Sequence, residues 1–498
     1  MKFASLLALI VPIAAASLTV DLTNPQSVHT SHYENVLGTS LELKLIGRSD
    51  ADAQRAEVAV LEEIERLAAI LSTWDSKSEV SRWARTSNVA IPVSAELFEV
   101  LGLFDHWRVE TGGALDASAE TATRLWKRGK VPTDAERHTA VAMMQQRHWS
   151  LNPLNQTATH LSTAPLALNS FTKSYIISRA ADVALASPNI AAAVVNSGGD
   201  LVVRGSWKEP IDIADPRADA ENANPVEQIV VRDRAVATSG DYRRGVEIDG
   251  RHYSHIIDPR TALPAEQIIS ATVVAANAAD AGALATAFSV MKPVESQRLA
   301  QRMPDVEYML IASNGARFAS RGWAGLALSP KPAPTPPQSS TSALFDPSFE
   351  LIVNLELARI EGRARRPYVA VWIEDKDKFP LRTIALWLEK TRWLPELRAW
   401  YSDDKMRSMA EGSDITRSVS SATRQPGKYT LKWDGKDNSG KLVKAGKYTV
   451  CIEVAREHGT YQIFRQEIDF NGAPKQMPLN PNPEVSSASL EYRKANAR

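Results

Sequence analysis

The sequence predicts an α+β protein made of two folded units, the first mixing helices and strands and the second an all-β sandwich. Three observations carry this. Apolar residues recur at helical spacing in the first three hundred residues, as in Leu61, Ile64, Leu67, Ala68 and Leu71, and again in Leu97, Val100, Leu101, Phe104 and Trp107 behind Ser94 as N-cap. Short apolar runs interrupted by glycine turns follow, such as Ala191 to Val195 and Leu201 to Val203 around Asn196-Ser-Gly-Gly-Asp200. Beyond residue 343 the pattern changes to β-branched and aromatic runs: Tyr368-Val-Ala-Val-Trp-Ile373, Tyr429-Thr-Leu-Lys-Trp433 and Tyr448-Thr-Val-Cys-Ile-Glu-Val454.

The boundaries follow from composition. Met1-Lys2 and the apolar run Phe3 to Ala16, ending in three alanines, read as a signal peptide over residues 1–16. A retained membrane anchor is the alternative, although the run is short for a span. Residues 17–328 form the mixed domain. Residues 329–343, rich in Pro and Ser, favour extended backbone and cannot build a core, so they form a linker. Residues 344–472 form the β-sandwich domain, whose pattern resembles an immunoglobulin-like module, and residues 473–498 read as a flexible tail.

Charge narrows the function classes. Lys plus Arg and Asp plus Glu both number 58, so no net field draws the chain to a nucleic acid or an anionic membrane, and neither partner is expected. A local pocket for a phosphorylated small molecule needs no net charge. The single cysteine, Cys451, lies far from the cleavage site, so no thiol is placed to carry a lipid there. The expected location is periplasmic or secreted, with no membrane span in the mature protein.

Six polar stretches punctuate the first domain: Asn35-Val-Leu-Gly-Thr39, Leu71-Ser-Thr-Trp-Asp-Ser-Lys-Ser-Glu79, Thr111-Gly-Gly-Ala-Leu-Asp116, Asn196-Ser-Gly-Gly-Asp200, Ala237-Thr-Ser-Gly-Asp-Tyr242 and Tyr253-Ser-His-Ile-Ile-Asp-Pro-Arg-Thr261. In order and spacing they resemble the ApbE family of FAD:protein FMN transferases over roughly residues 30 to 325. The resemblance implies an ApbE-like domain, FAD as substrate, Mg²⁺ as cofactor and an acceptor flavoprotein of a redox system as partner. FMN would pass to a Thr or Ser hydroxyl of the acceptor with release of AMP. A non-catalytic FAD-binding protein with a degenerate metal site and an FAD pyrophosphatase are the alternatives.

The same resemblance implies the site residues. His255 is the general base or hydroxyl-orienting group, since imidazole titrates near working pH. Asp258 is its hydrogen-bonding partner or a turn-former. Lys173 neutralises the pyrophosphate. The flavin nucleotide would be held by Leu37, Ser72, Thr73, Trp74, Ala114, Leu115, Asp116, Lys173, Ser239 and Ile256, with Trp74 either stacking on a ring or packing in the core. The metal ligands would be the Ser170 carbonyl, Thr286 and Asp280. The family carries its aspartate one helical turn before the threonine, where this chain has Gly282. Asp280 completes the set only if it stands ahead of the helix and its backbone folds back. Ser174 replaces a family Gly, Ser178 an Asp, and Ala262 a Gly.

Overall fold

The computed structural model describes residues 27–218, 220–240, 245–328, 344–360, 365–389, 391–411, 415–457 and 459–495. The signal-peptide and linker readings fall outside them. Among the described residues no helix is long and apolar enough to cross a membrane.

The first unit is organised by one eight-stranded sheet in which successive strands are antiparallel neighbours. In order they are β1 (Ser27–Val36), β2 (Thr39–Gly47), β3 (Ile190–Ser197), β4 (Asp200–Gly205), β5 (Ala235–Gly240), β6 (Ile268–Ala275), β7 (Glu307–Ala312) and β8 (Arg317–Ala319). Strand β3 turns into β4 through Gly198 and Gly199, whose φ of 57° and 100° suit a tight hairpin that other residues would strain. This is the strand, turn and strand expected from the apolar runs.

Helices α1 (Asp50–Leu71), α2 (Ala95–Glu110), α3 (Thr172–Ala186) and α4 (Ala278–Val290) share one core with the sheet. Ser94 caps α2 by accepting from Leu97 N, and Leu97, Val100, Leu101, Phe104 and Trp107 are all buried on its inner face. The other face of the sheet buries Val194, Val203, Val236 and Val274 under a hairpin of Glu209–Ile213 and Glu227–Val231. Alternation along each strand sends neighbouring valines into different cores: Val194 faces the hairpin and Val195 faces the helices.

The second unit is two antiparallel sheets closed on a common core. Its strands are β9 (Phe349–Leu357), β10 (Tyr368–Glu374), β11 (Pro380–Trp387), β12 (Gly427–Trp433), β13 (Gly446–Ala455), β14 (Tyr461–Phe470), β15 (Lys475–Leu479) and β16 (Val485–Lys494). One sheet runs β12-β9-β16-β15; the other runs β11-β10-β13-β14, with Ser420–Ser421 adding a short parallel edge on β11. Every residue of β10 is buried: Val369, Val371 and Ile373 enter the sandwich, while Tyr368, Ala370 and Trp372 pack under helix α5 (Arg398–Glu411) and its neighbours.

Two of these strands, β15 and β16, lie in the segment expected to be a tail. Polar composition hides strand β16, which pairs with β9 from Phe349↔Lys494 to Leu357↔Val485 and sends Val485, Ala488, Leu490 and Tyr492 inward. Its outward residues are polar, as a sheet with one face in water requires.

The two units cover each other's open strand edges, which removes templates for aggregation. His32 N, on edge strand β1, donates to Glu389 O at 2.9 Å. Arg366 pairs with Glu34 and donates to Asn35 Oδ1 at 3.0 Å. At the β12 edge Asn222 imitates a strand, its amide donating to Lys432 O and accepting from Lys432 N, both at 2.8 Å.

Two outcomes follow from this packing. Truncation after residue 472 removes a sheet-interior strand and should leave the second unit unfolded by circular dichroism and quickly proteolysed. Asp403 on α5 has its carboxyl pushed up to about 6, first by burial and then by Glu374 beside it. A carboxyl that holds its proton more tightly folded than unfolded costs stability as pH rises. Melting temperature should therefore decline between about pH 4 and 6, and Asp403→Asn should flatten that slope.

Candidate functional site

The centre of the site lies where α3 begins. Ser170 precedes the helix, and its carbonyl accepts from Thr286 Oγ1 of α4 at 3.3 Å, so two residues 116 apart in sequence meet. Lys173, in the first turn of α3, places Nζ 3.4 Å from Asp200 Oδ2 at the start of β4. Burial pushes the Asp200 carboxyl up, and the Lys173 ammonium draws it back down. The glycine turn ahead of Asp200 presses on the β1–β2 turn: a Cβ at Gly198 would meet Thr39 Oγ1 at 2.5 Å. Leu37 sits in that turn at φ 53°, partly buried against the core.

A second gathering joins two other stretches. Gly113, at φ 82°, lies so that a Cβ would be 3.7 Å from Arg260 Cγ, setting the Gly-Gly turn against the Asp258-Pro-Arg-Thr stretch. Asp258 realises the turn-former alternative. Its carboxylate accepts from Arg260 N at 2.9 Å and from Arg260 Nε and Nη2 at 2.9 and 2.8 Å, and its carbonyl accepts from Ala262 N at 2.8 Å. Arg260 Nη2 reaches on to Val290 O at the end of α4, 3.4 Å away. His255 is exposed one residue beyond strand Arg251–Ser254.

The third element is a concavity bounded by Thr73, Trp74, Val80, Trp83, Arg85 and Leu168, the last only two residues before Ser170. Trp74 is 83% exposed, which excludes the core-packing alternative and leaves its ring face free. Ser72 shapes the loop, its hydroxyl accepting from Trp74 N and Asp75 N.

Several expected ligand residues are committed elsewhere. Asp116 is buried, accepts from Ser118 N and Ser118 Oγ at 2.8 and 2.6 Å and pairs with Arg108 Nε at 2.8 Å, so its carboxylate braces the loop from within. Ala114 and Leu115 have their side chains in the core and can offer only backbone. Ile256 is buried and holds its own turn, its N donating to Ser254 Oγ. Ser239 lies half-buried near the end of β5 opposite Ala271.

The expected metal set converges only in part. Ser170 O and Thr286 Oγ1 meet, but Asp280 does not join them. Six residues before Thr286 on an α-helix, it turns to α2, where burial raises its carboxyl against the opposing pull of His106 and Trp107. Position 282, on the Thr286 face, is Gly. Among the described residues no group of three or more His, Cys, Asp or Glu is placed to hold a metal ion. Two neutral oxygens are a poor match for Mg²⁺, which wants carboxylate or phosphate oxygens.

Asp200, Ser174 and Arg260 belong to these clusters and were not expected there as ligands. The Gly-Gly-Asp turn was a visible signal for Asp200. Nothing in the sequence brings Ser174 toward Gly282, because helix–helix approach is not local.

This arrangement, an antiparallel sheet backed by helices with its polar turns gathered at the α3 terminus, has the fold of solved flavin transferases. The crystal structure of the Thermotoga maritima ApbE protein aligns at a TM-score of 0.55 and 25% identity, covering 61% of this chain and 100% of that one. The flavin transferase ApbE from Vibrio cholerae aligns at 0.52 and 25%, with the same coverage. The chain belongs to the ApbE family, whose model matches residues 37–310; a second model, described as a predicted periplasmic protein (DUF2271), matches 350–487. Among relatives named FAD:protein FMN transferase, one from Vibrio cholerae is 30% identical over 294 residues, 57% of this chain and 87% of that protein. Another, from Klebsiella pneumoniae, is 27% identical over 326 residues, covering 62% and 91%.

Removing Lys173 should expose the cost of Asp200. Lys173→Ala leaves a buried carboxylate without its cation, and chemical denaturation should show a loss of about 1–3 kcal/mol at neutral pH. The loss should shrink as pH falls and Asp200 takes a proton, because burial raises its carboxyl, and Asp200→Asn in the same chain should recover most of it.

Proposed function

We propose that this chain is an FAD:protein FMN transferase acting in the periplasm, with a Thr or Ser hydroxyl of an acceptor flavoprotein as nucleophile and AMP as leaving group. The observation that carries the reading is the meeting of Ser170 and Thr286 at the start of α3, whose first turn carries Lys173, beside a concavity lined by an exposed Trp74.

FAD would lie across the α3 terminus with one ring system on Trp74. The acceptor hydroxyl oxygen forms a bond to the FMN phosphorus as the phosphoanhydride bond to the AMP oxygen breaks. His255 takes the hydroxyl proton, and Lys173 offsets charge on the phosphate oxygens. Positioning and charge neutralisation are the main tools in such a displacement. Mg²⁺, bound alongside, would supply further neutralisation of phosphate charge, with Ser170 O and Thr286 Oγ1 as the protein oxygens available to it.

The test is incubation of the full chain with FAD, Mg²⁺ and a flavin-accepting redox domain, read by in-gel flavin fluorescence and an FMN-sized mass increase. An adduct lost in His255→Ala and Thr286→Ala supports transfer. FMN and AMP release without an adduct would instead identify a pyrophosphatase, and tight FAD binding with no turnover a flavin binder. Trp74→Ala should weaken FAD binding by about 1 kcal/mol, the worth of one aromatic pair, with little change in melting temperature because the ring is exposed.

A further inference from the structure

The missing carboxylate has a cause in the packing of α3 on α4. A Cβ at Gly282 would lie 2.5 Å from Ser174 Oγ, 3.0 Å from Phe171 Cβ and 3.2 Å from Phe171 Cα. No side chain fits at 282 while Ser174 keeps its place. The two helices run so that Ser170 meets Thr286 and, one turn on along α3 and one turn back along α4, Ser174 meets Gly282. Position 282 is thus the α4 position from which a side chain would join the Ser170 carbonyl and the Thr286 hydroxyl.

Ser174 Oγ lies at about the distance from the 282 Cβ position that an aspartate's own carboxylate oxygen would take. The residue is only 2% exposed, and its hydroxyl makes no short hydrogen bond, its polar neighbour being the Asp200 carboxylate, whose charged form it favours. It fills the space of a charged oxygen with a neutral one. The Asp200 carboxylate, which interacts with Ser174, is already offset by Lys173. The local protein charge facing a cation is therefore close to zero.

We infer that Ser174 and Gly282 are an exchanged pair that removes the carboxylate from the cation site, so that this chain holds a divalent cation only together with the phosphates of its nucleotide. A hard cation gives up its water reluctantly, and neutral oxygens do not compensate for that loss as anionic ones do. Phosphate oxygens can, and the coupling is reciprocal: nucleotide draws in cation, and cation tightens nucleotide. The inference rests on the nucleotide-binding reading above.

Mn²⁺ provides the probe, with the free-ion electron paramagnetic resonance signal as readout on the full chain with and without FAD. Wild type should leave Mn²⁺ free without FAD and bind it when FAD is present. Gly282→Asp alone should lower the melting temperature and gain no Mn²⁺, since Ser174 still occupies the space. Ser174→Gly combined with Gly282→Asp should bind Mn²⁺ without FAD, on the order of tenfold or more tighter than wild type.

Wild type that binds Mn²⁺ without FAD as tightly as the double variant would overturn the inference. So would Gly282→Asp that melts like wild type and binds Mn²⁺, or a double variant that folds by circular dichroism yet gains none. If the double variant does not fold, the wild-type comparison with and without FAD decides. Failure of wild type to quench FAD fluorescence would sink the nucleotide-binding reading, while the FAD-free comparison of the variants still reads the pair.

Discussion

The candidate site depends on how closely α3 and α4 approach each other over the sheet. Both helices bury small residues where they face the core, Ala180, Ala181 and Ala184 on one, Ala278, Ala281, Ala283, Ala285 and Ala287 on the other. Short side chains let the backbones come near, and at Gly282 even a Cβ would crowd Ser174 and Phe171. Close approach is what allows a backbone carbonyl before α3 to reach a hydroxyl on α4. Chemistry at the Ser170–Thr286 contact and packing at Gly282 are thus two consequences of one geometry, and a larger residue at 282 would disturb both.

Around this contact the turns are held by their own side chains. Asp258 grips Arg260, Asp116 grips Ser118 and Arg108, and Ser72 caps its own loop. Each uses a polar group to satisfy backbone donors that a loop would otherwise leave unpaired. The result is a rim whose shape is set internally, with Trp74 and His255 exposed on it. Arg260, reaching from its turn to the end of α4, ties the two gatherings into one wall.

The second unit is joined to the first at strand edges. Arg366 holds Glu34 and Asn35 where β1 departs from regular pairing, and the turn carrying Leu37 follows directly. Asn35 and Leu37 both take left-handed backbone conformations, at φ 57° and 53°. These conformations are costly for residues other than glycine and persist where surroundings impose them. The sandwich domain supplies part of those surroundings.

Much of the fold was legible from residue pattern. Helix α2 is readable from its cap and its apolar stripe, the β3–β4 hairpin from Gly-Gly between apolar runs, and the two-unit organisation from the proline-rich break, because each signal is local. Strand β16 was not, since its outward polar residues dilute the signal and its inward ones matter only against β9. At the site, order and spacing of the polar stretches identify the family. Helical periodicity already turned Asp280 away from Thr286, but which other members converge could not be read: the Ser170–Thr286 contact spans a long loop closure, and Asp116 looks like a ligand carboxylate until its neighbours are known. Sequence by itself determined the elements, the family and the residue types available for chemistry. Tertiary structure alone decided which oxygens meet, because that depends on the distance between two helices, and that distance is set by side chains far apart in the chain.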